Sequence, residues 1–186
     1  METFTELKAF GDDPYYHAKR EETLRKLQIR SIDAPLVELI NDFAKLPYCF
    51  TLQSCYGHFI HKGQRNTKNT EPLSNCDKDS CIEYRIAYVA LCIQNNDHGR
   101  QLLRDLKRVT EIDPEYIQLG CAEWFWMRQV NSYALQVEPE RYKTEDRCQL
   151  SIQEAVYLEK VRTRFYEVLK QLVHNARLKS GDSKDE

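Results

Sequence analysis

Residues 48–61 read YCFTLQSCYGHFIH. From Tyr48 to Ser54 the run is aromatic and apolar and too short for a helix, so it predicts a strand. Cys55, Gly57, His58 and His61 then crowd the strand's end. Four readings compete for such a cluster: a metal site, a nucleophile, a small-molecule pocket and plain packing.

Upstream, Pro14 to Lys26 predicts a helix, with Asp13 placed to cap it and Pro14 suited to a first turn. Ser31-Ile32-Asp33-Ala34-Pro35 restarts the chain. Ser31 or Asp33 can cap a second helix, in which Leu36, Leu39, Ile40 and Phe43 recur at helical spacing before Pro47. Downstream, residues 61–80 turn polar, and a loop of that length is usually functional or disordered. Cys81 to Gln94 predicts a strand. Asn95–Asp97 caps an amphipathic helix, and Glu115 to Cys121 predicts a further strand. Trp124 to Glu138 predicts a turn with one strand, or two paired strands. Ile152 to Leu178 predicts a long helix with one apolar stripe. Residues 180–186 read as a disordered polar tail.

Helices and strands mix without regular alternation. The expectation is a single α+β domain over residues 1–179, with irregular α/β as the neighbouring possibility. No repeat of about 20–50 residues is visible. The chain has 186 residues, 41% of them hydrophobic, which is enough for one substantial core. Lys+Arg number 27 against Asp+Glu 29, which argues against a globally basic nucleic-acid binder and leaves room for a local basic patch. No apolar run suits a bilayer span or a signal peptide, so a cytoplasmic protein with no membrane partner is expected. Seven cysteines in a reducing compartment default to free thiols.

Cys55, His58 and His61 sit as C-x2-H-x2-H, with Cys76 and Cys81 beyond the loop. Zinc favours these ligand types, but no C-x2-C knuckle appears, and one metal would need a bend near Gly57. Metal therefore ranks below packing. Cys55 beside His58 could form a thiolate–imidazole pair, yet no third, orienting group is identifiable. The dense small and polar set Ser54, Cys55, Tyr56, Gly57 and His58 favours a pocket, with Gly57 permitting positive φ or close approach of a ligand. Farther on, Trp124 and Trp126 could line a site for a planar ligand, or belong to the core. Asn131, Tyr133, Gln136 and Glu138 alternate with apolar partners in NSYALQVEPERY and could be functional or belong to the solvent face of a strand. Arg85, Arg128 and Arg141 could bind anions or make surface pairs. No G-x-G-x-x-G, P-loop or H-E-x-x-H is present.

In order, Ser31-Ile32-Asp33, Leu39-Ile40-Asn41, Ser54-Cys55-x-Gly57, the segment IAYVALCIQNNDHGRQLLRDL and Val137-Glu138-Pro139 before a long helix resemble the wybutosine-synthesis methyltransferase family. That family uses S-adenosylmethionine to methylate a tricyclic guanosine derivative in phenylalanine tRNA. The resemblance implies a non-Rossmann α+β fold with a curved, antiparallel-rich mixed sheet. It further implies a duplicated strand–helix–strand–strand unit, barrel-like in the extreme. It also implies S-adenosylmethionine as cofactor, tRNA or a small molecule as partner, and a site at the Ser54–His58 turn. Cys55 and His58 would then shape the pocket or act as a weak base, with Ser54, Tyr56, Gly57, Arg85, Trp124, Trp126 and Glu138 as binding residues. This chain departs from the family's Ser-Ser-Cys-Ser-Gly-Arg pattern: Gln53 and Tyr56 replace serines and His58 replaces the arginine. The alternatives are a non-catalytic binding module on the same scaffold and a thiol or metal site built on Cys55, His58, His61, Cys76 and Cys81.

Overall fold

The strand that begins at Cys49 ends at Cys55, and a second strand starts at His58 after a two-residue break. A computed structural model describes residues 4–61, 73 and 81–181. The strands are β1 (Phe4–Thr5), β2 (Cys49–Cys55), β3 (His58–Ile60), β4 (Cys81–Arg85), β5 (Ala87–Ile93), β6 (Ile117–Ala122), β7 (Ser132–Val137) and β8 (Arg147–Ser151). The helices are α1 (Tyr16–Lys26), α2 (Val37–Ala44), α3 (Asp97–Val109), α4 (Glu123–Arg128) and α5 (Ile152–Gly181).

The strands form a five-stranded sheet in the order β1-β6-β7-β5-β2 and a three-stranded sheet in the order β3-β4-β8. This is the expected α+β architecture with its long C-terminal helix. The sheets differ from expectation in two respects. Every strand pair among the described residues is antiparallel, so neither sheet is mixed, and neither closes into a barrel. One strand–helix–strand–strand run exists, β5-α3-β6-β7 with α4 inserted. A second such run goes from β1 through α1 and α2 to β2 and β3. Most of residues 61–80 lie outside the described residues, as do 182–186 of the tail expected at 180–186, whose first two positions belong to α5 instead.

Helix α3 starts where the sequence placed it. The Asn96 side chain accepts from the Gly99 N–H at 2.8 Å and satisfies one open donor of the first turn. Helix α5 buries Ala155, Leu158, Val161, Phe165, Leu169 and Val173, spaced three and four apart, against the core. Arg20 of α1 donates to the carbonyl of Ala44, an oxygen that α2 leaves open at its end, and to that of Leu46 beyond it.

Three elements differ from the sequence reading. The Cys81–Gln94 run is two strands in two different sheets, broken at Ile86. Trp124 to Arg128 lies in helix α4, not in a strand. Strand β7 is central, between β6 and β5, so Tyr133 and Gln136 on it are buried, as are Asn131 before it and Glu138 after it; none of the four faces solvent.

The chain crosses between the two sheets at three places, residues 56–57, Ile86 and residues 138–146, and Tyr84 links them. Its fully buried hydroxyl accepts from the Ala87 N–H at 3.0 Å and donates to the Val137 carbonyl at 2.8 Å. Tyr84→Phe leaves both backbone groups unpaired while keeping the ring. The expected loss of unfolding free energy is about 1–3 kcal/mol. Urea denaturation with an unchanged slope checks it, and a loss within error of zero would mean the hydroxyl is dispensable.

Candidate functional site

The corner between β2 and β3 depends on Gly57, whose φ is +87°. A Cβ there would lie 2.7 Å from the Ala87 Cβ and 2.9 Å from the Tyr84 hydroxyl. Only glycine fits both the backbone conformation and the space. The corner supplies the bend that a shared site for Cys55 and His58 required.

A third group joins them from another part of the chain. Ligand atoms of Asp33, Cys55 and His58 lie within 4.8 Å of one another. The Asp33 Oδ2 accepts from the Tyr56 N–H at 2.8 Å and lies 3.3 Å from His58 Nε2. The Cys55 Sγ accepts from the Gly57 N–H at 3.4 Å. His58 is 8% exposed, and its Nδ1 has no hydrogen-bond partner. The bond to Asp33, then the one to Cys55, raises the imidazole pKa to about 9 against the opposing effect of burial.

Helix α5 fixes the corner from behind. Arg162, 3% exposed, donates from Nη1 to the Gly57 carbonyl at 2.7 Å and lies over the rings of Tyr56 and Phe59. The Tyr166 hydroxyl donates to the Cys55 carbonyl at 2.7 Å, and its ring stacks on Tyr56. Burial pushes that phenol's pKa well above its ordinary value, so it stays a donor. A guanidinium is therefore present at a corner whose own sequence has His58 where the resembled motif has arginine.

Two clefts open beside the corner. One, of about 500 Å³, is lined by Gln28, Ser31, Ile32, Thr51, Gln53 and Ser54, among others. Another, of about 430 Å³, is lined by Tyr56, Lys160, Arg162, Thr163, Arg164 and Glu167, among others. Both fall within the roughly 300–1,000 Å³ of small-molecule sites. The first cleft's walls run directly in sequence into the cluster, Ile32 into Asp33 and Ser54 into Cys55.

Ser54, Cys55, Tyr56, Gly57 and His58 are thus brought together as their spacing suggests. Arg85 faces His58 across the β3–β4 ladder and pairs with Glu83 at 3.6 Å. Trp124 and Trp126 do not form a shared wall. Two positions apart on a helix, they diverge: Trp124 is exposed under the Arg128 guanidinium, and Trp126 packs on Tyr133. Arg141 pairs with Glu154 at 2.7 Å. Glu138 is fully buried at the end of β7, and desolvation, then the charge of Asp146, raises its pKa to about 9.

Of the other suggested metal ligands, Cys81 is exposed and bonds Gln149 Oε1, and neither it nor His61 belongs to the three-residue cluster. Cys76 lies outside the described residues. Sequence reading missed Asp33, Arg162 and Tyr166. Asp33 has the look of a cap, but it precedes a short 3-10 turn without making a cap bond, and its side chain turns to the corner. Arg162 left a clue, being a charge set among the apolar positions Leu158, Val161 and Phe165.

No protein-family model and no curated protein matches the chain. Among solved structures, it is similar to the PH1069 protein from Pyrococcus horikoshii at 12% identity, over 86% of this chain and 91% of that one, with a TM-score of 0.45. A second structure of PH1069, from Pyrococcus horikoshii OT3, matches at 9% identity over 91% and 95%, with a TM-score of 0.47. A hypothetical protein from Aeropyrum pernix matches at 7% identity over 78% and 97%, with a TM-score of 0.45.

Proposed function

We propose that the protein is an S-adenosylmethionine-dependent methyltransferase of the cytoplasm that acts on tRNA or another nucleoside-bearing substrate. The observation that carries this reading is that one corner serves two clefts, Ser54 lining the first and Tyr56 the second. Methyl transfer needs two ligands held against each other. The sulfonium already carries a good leaving group, so positioning is the main demand on the protein.

The Ser54 cleft suits the cofactor. Gln28, Ser31, Thr51 and Gln53 offer hydrogen bonds to ribose and amino-acid groups, and Ile32 offers an apolar wall. The Tyr56 cleft suits the acceptor. Tyr56 offers a ring for stacking and Lys160 and Thr163 offer polar contacts, while Arg164 pairs with Glu167 at 3.4 Å and the buried Arg162 with Glu159 at 3.7 Å. No helix among the described residues is long and apolar enough to cross a membrane.

Calorimetric titration of S-adenosylmethionine tests the reading. Saturable binding to the wild-type protein is expected. Ser54→Trp, which fills the first cleft, is expected to weaken it by at least roughly 10-fold, or ~1.4 kcal/mol. A Lys160→Ala, Arg164→Ala variant is expected to leave it unchanged. No heat up to millimolar ligand contradicts the cofactor assignment. Binding without methylation of any tRNA would favour the non-catalytic module.

A further inference from the structure

We propose that Asp33, Cys55 and His58 form a site for a divalent transition metal of the zinc type, with one coordination position left open.

The three donors converge as ligands do. The Asp33 carboxylate, Cys55 sulfur and His58 ring nitrogen lie within 4.8 Å of one another, and the carboxylate-to-imidazole distance is 3.3 Å. A nucleophilic relay would place Cys and Asp on opposite nitrogens of the imidazole. Here Asp33 lies 3.3 Å from Nε2 and Nδ1 has no hydrogen-bond partner, so a relay through both ring nitrogens is not formed. The His58 ring, with its unpartnered Nδ1, is more than nine-tenths buried.

The donors are also held in place. The Tyr56 N–H fixes Asp33, the Tyr166 hydroxyl and Gly57 N–H fix Cys55, and Arg162 holds the Gly57 carbonyl. Such support keeps a coordination sphere ready before the ion arrives.

Thiolate, imidazole and carboxylate together are the donor set of zinc and its neighbours, whereas magnesium and calcium require oxygen. The charges of a thiolate and a carboxylate balance a divalent ion. A structural zinc site is closed by four protein ligands. Only three are in place among the described residues, so a water or a ligand atom takes the fourth position. That position lies at the corner whose flanking residues Ser54 and Tyr56 line the two clefts. The Nδ1–H would have no acceptor to orient the ring, so affinity is expected to fall below that of a closed four-ligand site.

Cobalt(II) titration tests the site directly. The expected result is saturation at a single ion per chain, with a thiolate-to-cobalt charge-transfer band and tetrahedral d–d bands that zinc abolishes. Cys55→Ser is expected to remove the charge-transfer band. Asp33→Asn and His58→Gln are each expected to weaken binding at least roughly 10-fold. A spectrum without a thiolate band, or a band that survives Cys55→Ser, overturns the proposal.

Alkylation of the unmodified protein, read by peptide mapping, covers the case in which a variant fails to fold. Zinc is expected to slow alkylation at Cys55 and not at the exposed Cys81; equal rates with and without zinc overturn the site. Neither readout uses S-adenosylmethionine, so the metal site and the cofactor assignment stand or fall separately.

Discussion

Gly57→Ala is expected to lower the unfolding free energy by about 3 kcal/mol or more. Two penalties add. The backbone at φ +87° disfavours any side chain, and the new methyl would sit 2.7 Å from the Ala87 Cβ and 2.9 Å from the Tyr84 hydroxyl. Neither neighbour can yield easily, because Ala87 is the first residue of β5 and the Tyr84 hydroxyl bridges Ala87 to Val137. Any relaxation of the corner would also separate Cys55 from His58. The variant should therefore lose ligand and metal binding together with stability. Urea denaturation gives the first quantity and the cobalt spectrum the second. A loss under about 1 kcal/mol would show that the corner is not conformationally fixed.

Glu138→Gln is expected to change how stability depends on pH. Burial raises the Glu138 carboxyl to about 9 in the folded protein, against about 4.5 when exposed. The folded state therefore holds a proton that the unfolded state releases. Its contribution is fully present below about pH 4.5 and is lost as pH rises through about 9. Glutamine is isosteric with the protonated acid and does not titrate. The variant should match the wild type near pH 5 and exceed it increasingly towards pH 9, by on the order of 3–6 kcal/mol at full extent. The geometry fits, since Glu138 is 0% exposed, Gln136 Nε2 donates to one of its oxygens and the other has no partner. Parallel stability curves from pH 5 to 9 would contradict this protonation state.

Several parts of the fold were readable because local signals and tertiary structure agree. The Asn96 cap, the apolar stripe of α5 and the aromatic run of β2 each point one way and fold that way. The crowded residues at Ser54–His58 did mark a corner. Other parts depend on contacts that the local sequence does not carry. The 81–94 run has strand character throughout, and its break at Ile86 arises because β4 and β5 belong to different sheets. The W-F-W alternation at 124–126 imitates a strand, yet forms a helix that places the two indoles apart. Gln136 and Glu138 look solvent-facing only if β7 is taken as one-sided, and it is central. Asp33 reaches the corner across 23 residues of chain from Tyr56, a contact no local pattern announces.

S-adenosylmethionine is proposed to occupy the Ser54 cleft beside the Gly57 corner. The most direct test is ultraviolet cross-linking of radiolabelled S-adenosylmethionine to the wild-type protein, followed by peptide mapping. Label is expected in the segments carrying Gln28–Ile32 or Thr51–Tyr56, and competition by unlabelled cofactor should remove it. No competed label, or label confined to other segments such as α3 and α4, would contradict the assignment.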